Sequence, residues 1–78
     1  MKIQIETFIT RATENGELGT LYVLSFNTEK RHLGSYEIAI DNKVVEKTMR
    51  KCLQFAKRKG VEKEVVSYIL RIFRRAGI

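Results

Sequence analysis

The spacing of the apolar residues changes once along this chain, near residue 41, and that change limits the folds open to it. Before it the apolar residues recur mainly at every second position, and after it at every third and fourth. The first period puts side chains on alternate faces of a strand, and the second puts them on one face of a helix. In residues 2–12, Ile3, Ile5, Thr7 and Ile9 fall on one side, and Lys2, Gln4, Glu6 and Thr10 on the other; Phe8 breaks the alternation. Asn15-Gly16 is a strong turn signal, because both residues tolerate positive φ. A second strand is expected over Thr20–Phe26, then a polar loop from Asn27 to His32. A third strand is expected over Leu33–Ile40, with Tyr36, Ile38 and Ile40 on one face and Ser35, Glu37 and Ala39 on the other.

Beyond Asp41 or Asn42, read as an N-cap, a helix is predicted over residues 42–59. Its buried stripe is Val45, Met49, Cys52, Leu53 and Ala56, and Glu46 and Arg50 stand at pairing distance along it. Gly60 after Lys57-Arg58-Lys59 is a helix stop. The last helix is predicted from Glu62 to Ala76, with Val65, Ile69, Ile72, Phe73 and Ala76 on its apolar face and Val66 and Leu70 beside them. The fold class expected is therefore α+β: a three-stranded antiparallel β-meander followed by a helical pair, in one domain over residues 1–78. Residues 1–41 form the sheet, and residues 42–78 the basic helical pair.

Charge divides at the same place. Residues 1–41 carry four basic and six acidic side chains, and residues 42–78 carry eleven basic and three acidic. The overall charge of +6 is thus concentrated on the helices. A localised basic surface on a small domain suggests a polyanionic partner, usually nucleic acid. At 78 residues a single core is marginal, so self-association is a natural aid.

The chemistry-bearing residues are sparse. The single cysteine, Cys52, lies on the apolar helix stripe and reads as a core residue. His32, beside Lys30 and Arg31, reads as a solvated turn residue, with phosphate contact as its sharper alternative. The carboxylates Glu6, Glu14, Glu17, Glu29 and Glu37 show no paired acid and base. His32 and Cys52 have no zinc-type spacing. These residues predict a non-enzymatic protein with no cofactor and no metal. Tyr22, Phe26 and Tyr36 read as core rather than as a stacking platform for bases. If Tyr22, Leu24 and Phe26 face the helices, Leu21 and Val23 with Phe8 make an apolar outer patch suited to a dimer. The early charges Lys2 and Glu6 leave no room for a signal peptide, and no run is long enough to span a bilayer. The expected location is cytoplasmic, with no membrane partner.

Ala56-Lys57-Arg58-Lys59-Gly60-Val61, then Val66-Ser67, then Ile69, resembles the helix-turn-helix DNA-binding motif, at residues 52–71 only. In that pattern a small residue lets the helices approach, glycine takes a left-handed turn, and aliphatics fill the wedge. The resemblance implies that the second helix lies in the major groove. It makes Lys63, Ser67, Tyr68 and Arg71 the groove-facing candidates. Phosphate contacts fall to Lys57, Arg58, Lys59, Arg74 and Arg75. The order strand, helix, turn, helix is also similar to that of a ribbon-helix-helix dimer, with Tyr36–Ile40 as the ribbon. Both imply duplex DNA, a homodimer and, as one role, a transcriptional regulator. A plain packing hairpin satisfies the same spacing. Two other classes stay open on the charge alone: an RNA-binding module, and a protein-interaction module such as a small inhibitor or assembly subunit that fits an acidic protein surface.

Overall fold

The computed structural model describes residues 2–14 and 16–78, Glu14 by its backbone only. Four strands precede two helices: β1 (Gln4–Glu14), β2 (Glu17–Asn27), β3 (His32–Ile40), β4 (Lys43–Val44), α1 (Glu46–Lys59) and α2 (Glu62–Ala76). The strands form one antiparallel sheet in the order β1-β2-β3-β4. The α+β class is as expected, but the meander has a fourth, two-residue strand. β1 and β2 pair without interruption from Gln4↔Asn27 to Glu14↔Glu17. In the connecting turn Gly16 has φ 82°, and Asn15 lies outside the described residues.

The fourth strand corrects the expected N-cap. Asp41 and Asn42 do not start a helix. They form the two-residue turn between β3 and β4, with φ of 47° and 66°. Positive φ at both centres is what a tight hairpin needs, and Asp and Asn tolerate it better than other non-glycine residues. Asp41 is tied back to β2: the Thr20 N–H donates to its Oδ1 at 2.9 Å, and its own N–H donates to the Thr20 carbonyl at 3.0 Å. A Cβ on buried Gly19 would fall on the Asp41 carboxylate, so the glycine makes room for this tie. The helix then starts at Glu46, after Val45, with no side-chain cap.

The expected faces of β3 are also revised. Tyr22 pairs with Ala39 but Val23 pairs with Glu37, so Ile38 is the extra residue of a bulge. A bulge changes the alternation downstream of it. Ile38 and Ala39 are therefore both fully buried, although they are adjacent. Leu21 is nearly buried and Val23 half-buried, which shrinks the expected apolar outer patch to Phe8.

The core lies between one sheet face and the two helices. Leu24, Phe26, Ile38 and Ala39 meet Cys52, Phe55 and Ala56 of α1 and Val65, Ile69 and Ile72 of α2. Phe55, outside the expected stripe, is a central member: its ring lies 4.9 Å from Phe26 and 5.9 Å from Tyr36. Met49 and Leu53 flank the core half-buried. On α2 Val65, Ile69, Ile72 and Ala76 of the expected apolar face are buried and Phe73 is half-buried, while Val66 and Leu70 beside them are exposed. Both helices end on left-handed glycines, Gly60 at φ 72° and Gly77 at φ 73°.

The Asp41–Asn42 turn generates a direct expectation. Asn42→Val should destabilise the protein by about 1–2 kcal/mol in urea denaturation, the cost of a Cβ-branched residue held at positive φ, whereas Asn42→Gly should be near neutral.

Candidate nucleic-acid interface

Burial of Val65, Ile69, Ile72 and Ala76 fixes the rotation of α2 about its axis. The face turned away carries Lys63, Ser67, Arg71 and Arg74, and Arg75 lies on its flank, all exposed. Lys63, Ser67, Arg71 and Arg75 follow at four-residue spacing, so they form one inclined row. Twelve residues of helix make that row about 18 Å long, roughly the length of five base pairs of duplex at 3.4 Å each. Basic side chains in the last turn also suit the negative end of the helix dipole.

The row runs into a cleft between α2 and the sheet. Its volume is about 330 Å³, and it is lined by Thr7 and Ile9 of β1, Tyr22 of β2, and Tyr68, Arg71, Ile72, Arg74 and Arg75 of α2. Four of the nine residues singled out from sequence thus meet in one place: Tyr68, Arg71, Arg74 and Arg75. The Arg71 guanidinium stands 5.5 Å from the Tyr68 ring centroid, a cation–π contact that steadies both groups. Lys57 and Arg58 line a separate, shallow depression with Gln54 on α1. The Lys59 ammonium lies 5.8 Å from the Phe55 ring. Lys63 and Ser67 line neither hollow and belong to the exposed row alone.

These cations are free to meet an anion. Among the described residues the single ion pair is Glu46–Arg50, at 3.8 Å, the pair expected from its spacing. It is well exposed on both sides and contributes little to stability.

Of the residues that carry the helix-turn-helix resemblance, Ala56 and Ile69 are buried, Val61 is half-buried, and Gly60 has the left-handed conformation. Val66, expected in the wedge, is 41% exposed, and its neighbour Val65 is fully buried instead. The Tyr36–Ile40 ribbon does not stand free: β3 pairs with β2 on one side and, at Ala39 and Ile40, with β4 on the other. Tyr22, read as core, is half-buried and reaches the cleft. Nothing in the strand alternation marks it as a cleft residue, because the cleft exists only once α2 is laid beside β1.

His32 is more constrained than a solvated turn residue. Its Nδ1 lies 2.6 Å from Asn27 Oδ1, and its Nε2 lies 3.1 Å from Ser35 Oγ. Ser25 Oγ is 3.5 Å from the same Nδ1. With Nδ1–H donating to Asn27, Nε2 is left to accept from the Ser35 hydroxyl. Residues 27, 32 and 35 look unrelated in the sequence because the pairing of β2 with β3 brings them together. The imidazole lies exposed on the sheet, and its bonds fasten the two strands across the 28–31 loop. No cluster of three or more metal-ligating side chains occurs among the described residues. No described helix is long and apolar enough to cross a membrane.

No family model, curated protein or solved structure matches the chain.

Cys52 is fully buried, and burial pushes its thiol up to about 11 by disfavouring the thiolate. It should therefore react slowly with a disulfide reagent at pH 8 in the native protein and rapidly in urea; fast native labelling would contradict its place in the core.

Proposed function

We propose that this chain is a small non-enzymatic nucleic-acid-binding protein, with duplex DNA its favoured partner. The observation that carries the reading is the convergence of Arg71, Arg74 and Arg75 on one cleft, fed by an exposed row that starts at Lys63. Unpaired guanidinium groups in a concave site suit phosphate oxygens, which they bind in a bidentate fashion. Lys57, Arg58 and Lys59 add a second cationic patch at the end of α1. Binding by such groups releases counterions, so affinity falls steeply with salt. Ser67, between Lys63 and Arg71, offers a hydroxyl for a backbone or base-edge contact. DNA regulation by a homodimer is the biological form that this reading favours. Structured RNA presents the same charge and is the competitor to include in every titration.

A second reading rests on Val66 and Leu70. They are 41% and 53% exposed beside the basic row, and an acidic protein partner with an apolar ridge would cover both features.

Arg71→Ala with Arg74→Ala decides between them. On the nucleic-acid reading, the double variant keeps its far-UV circular dichroism, binds duplex DNA more weakly, and loses about two units of salt slope, close to 0.9 per phosphate contact removed. A folded double variant with unchanged affinity and slope would remove α2 from the interface.

A further inference from the structure

The two edges of the sheet are treated very differently. One edge is β3, paired with β4 only at Ala39 and Ile40; its ladder with β2 is broken by two register irregularities and it ends in the two-residue, lysine-bearing β4, which are normal ways to blunt an edge. The other edge is β1, eleven residues long, without proline and without a bulge in its pairing with β2. Phe8 and Ile9, the adjacent apolar pair in its middle, are 47% and 53% exposed.

The direction of the backbone groups on this edge follows from Thr20. Both its N–H and its carbonyl are engaged with Asp41, on the β3 side. Its partner Arg11 therefore exchanges no backbone bonds with it, and the Arg11 N–H and carbonyl point to the open edge. By alternation Ile5, Thr7, Ile9 and Thr13 point the same way. Among the described residues no strand lies beyond β1 to pair this regular row of donors and acceptors.

The molecule also exposes more surface than its mass requires. Its accessible area is 5750 Å², against about 4900 Å² for a compact monomer of 9.1 kDa. The body is elongated, 40 × 23 × 19 Å, which contributes to that surplus, and a standard interface buries about 800 Å² from each partner.

We infer that β1 pairs antiparallel with β1 of a second copy, making a twofold dimer with one continuous eight-stranded sheet. A seam centred on Phe8 or Ile9 opposes no like charges, whereas one centred on Arg11 would set that arginine against its counterpart. The seam covers the exposed apolar pair and satisfies the edge. It also aligns the two arginine clefts, because Thr7 and Ile9 belong to both edge and cleft. The dimer stands whether or not the clefts bind nucleic acid; only the joined cationic surface rests on that reading.

The test is the mass of the nucleic-acid-free protein by sedimentation equilibrium from low to high micromolar concentration. The wild type should weigh twice the 9.1 kDa chain. Thr7→Pro removes an N–H that serves the open edge and not the β2 ladder, and Ile9→Lys places a charge in the seam. Both should be folded monomers. If Thr7→Pro fails to fold, the exposed Ile9→Lys site still decides. A wild type that stays monomeric throughout, or a folded Ile9→Lys protein that stays dimeric, would overturn the pairing.

Discussion

Val65, Ile69 and Ile72 of α2 bury themselves against the sheet, each worth about 1.5–3 kcal/mol of transfer free energy. That contact settles how α2 is rotated, and the rotation settles everything the helix shows to solvent. With those three residues inward, Lys63, Ser67, Arg71 and Arg74 must point outward, and Tyr68 and Arg75 must flank the sheet. The cleft forms where α2 lies beside β1 and β2. The basic surface is therefore a by-product of core packing in the geometric sense: the same helical period that fills the core gathers the charge.

The aromatic group on the other helix performs the matching task. Phe55 packs between Phe26 and Tyr36, so α1 is fastened over β2 and β3. Gly60 then turns the chain so that α2 can return across the same face. Asp41 and Thr20 hold the β3–β4 corner, which sets the point from which α1 departs. A 78-residue chain without disulfides relies on these few contacts.

Much of this was legible in the residues. The last helix runs from Glu62 to Ala76 as the apolar spacing predicts, and α1 ends at Lys59 before Gly60. The start of α1 was not legible, because Asp and Asn serve equally as helix caps and as residues of tight turns. Only the long-range bond to Thr20 distinguishes the two uses. The bulge at Ile38 was hidden for a similar reason: periodicity assumes an unbroken ladder, and a bulge is a property of two strands together. Tyr68, Arg71, Arg74 and Arg75 were readable as outward-facing basic and aromatic residues. Their sharing of a cleft with Thr7, Ile9 and Tyr22 was not, since the two walls come from opposite ends of the chain, β1 and β2 on one side and α2 on the other. The pairing of His32 with Ser35 and Asn27 likewise needed the strand register.

The helices present an exposed cationic surface, and the proposed function requires that it bind a polyanion. Fluorescence anisotropy of a labelled random duplex across a salt series tests it most directly. Tight binding at low salt, with log affinity falling linearly against log salt by a slope of several ions, is the predicted result. Absence of binding at the lowest salt would contradict the account and leave the charge of α2 as a surface for a protein partner.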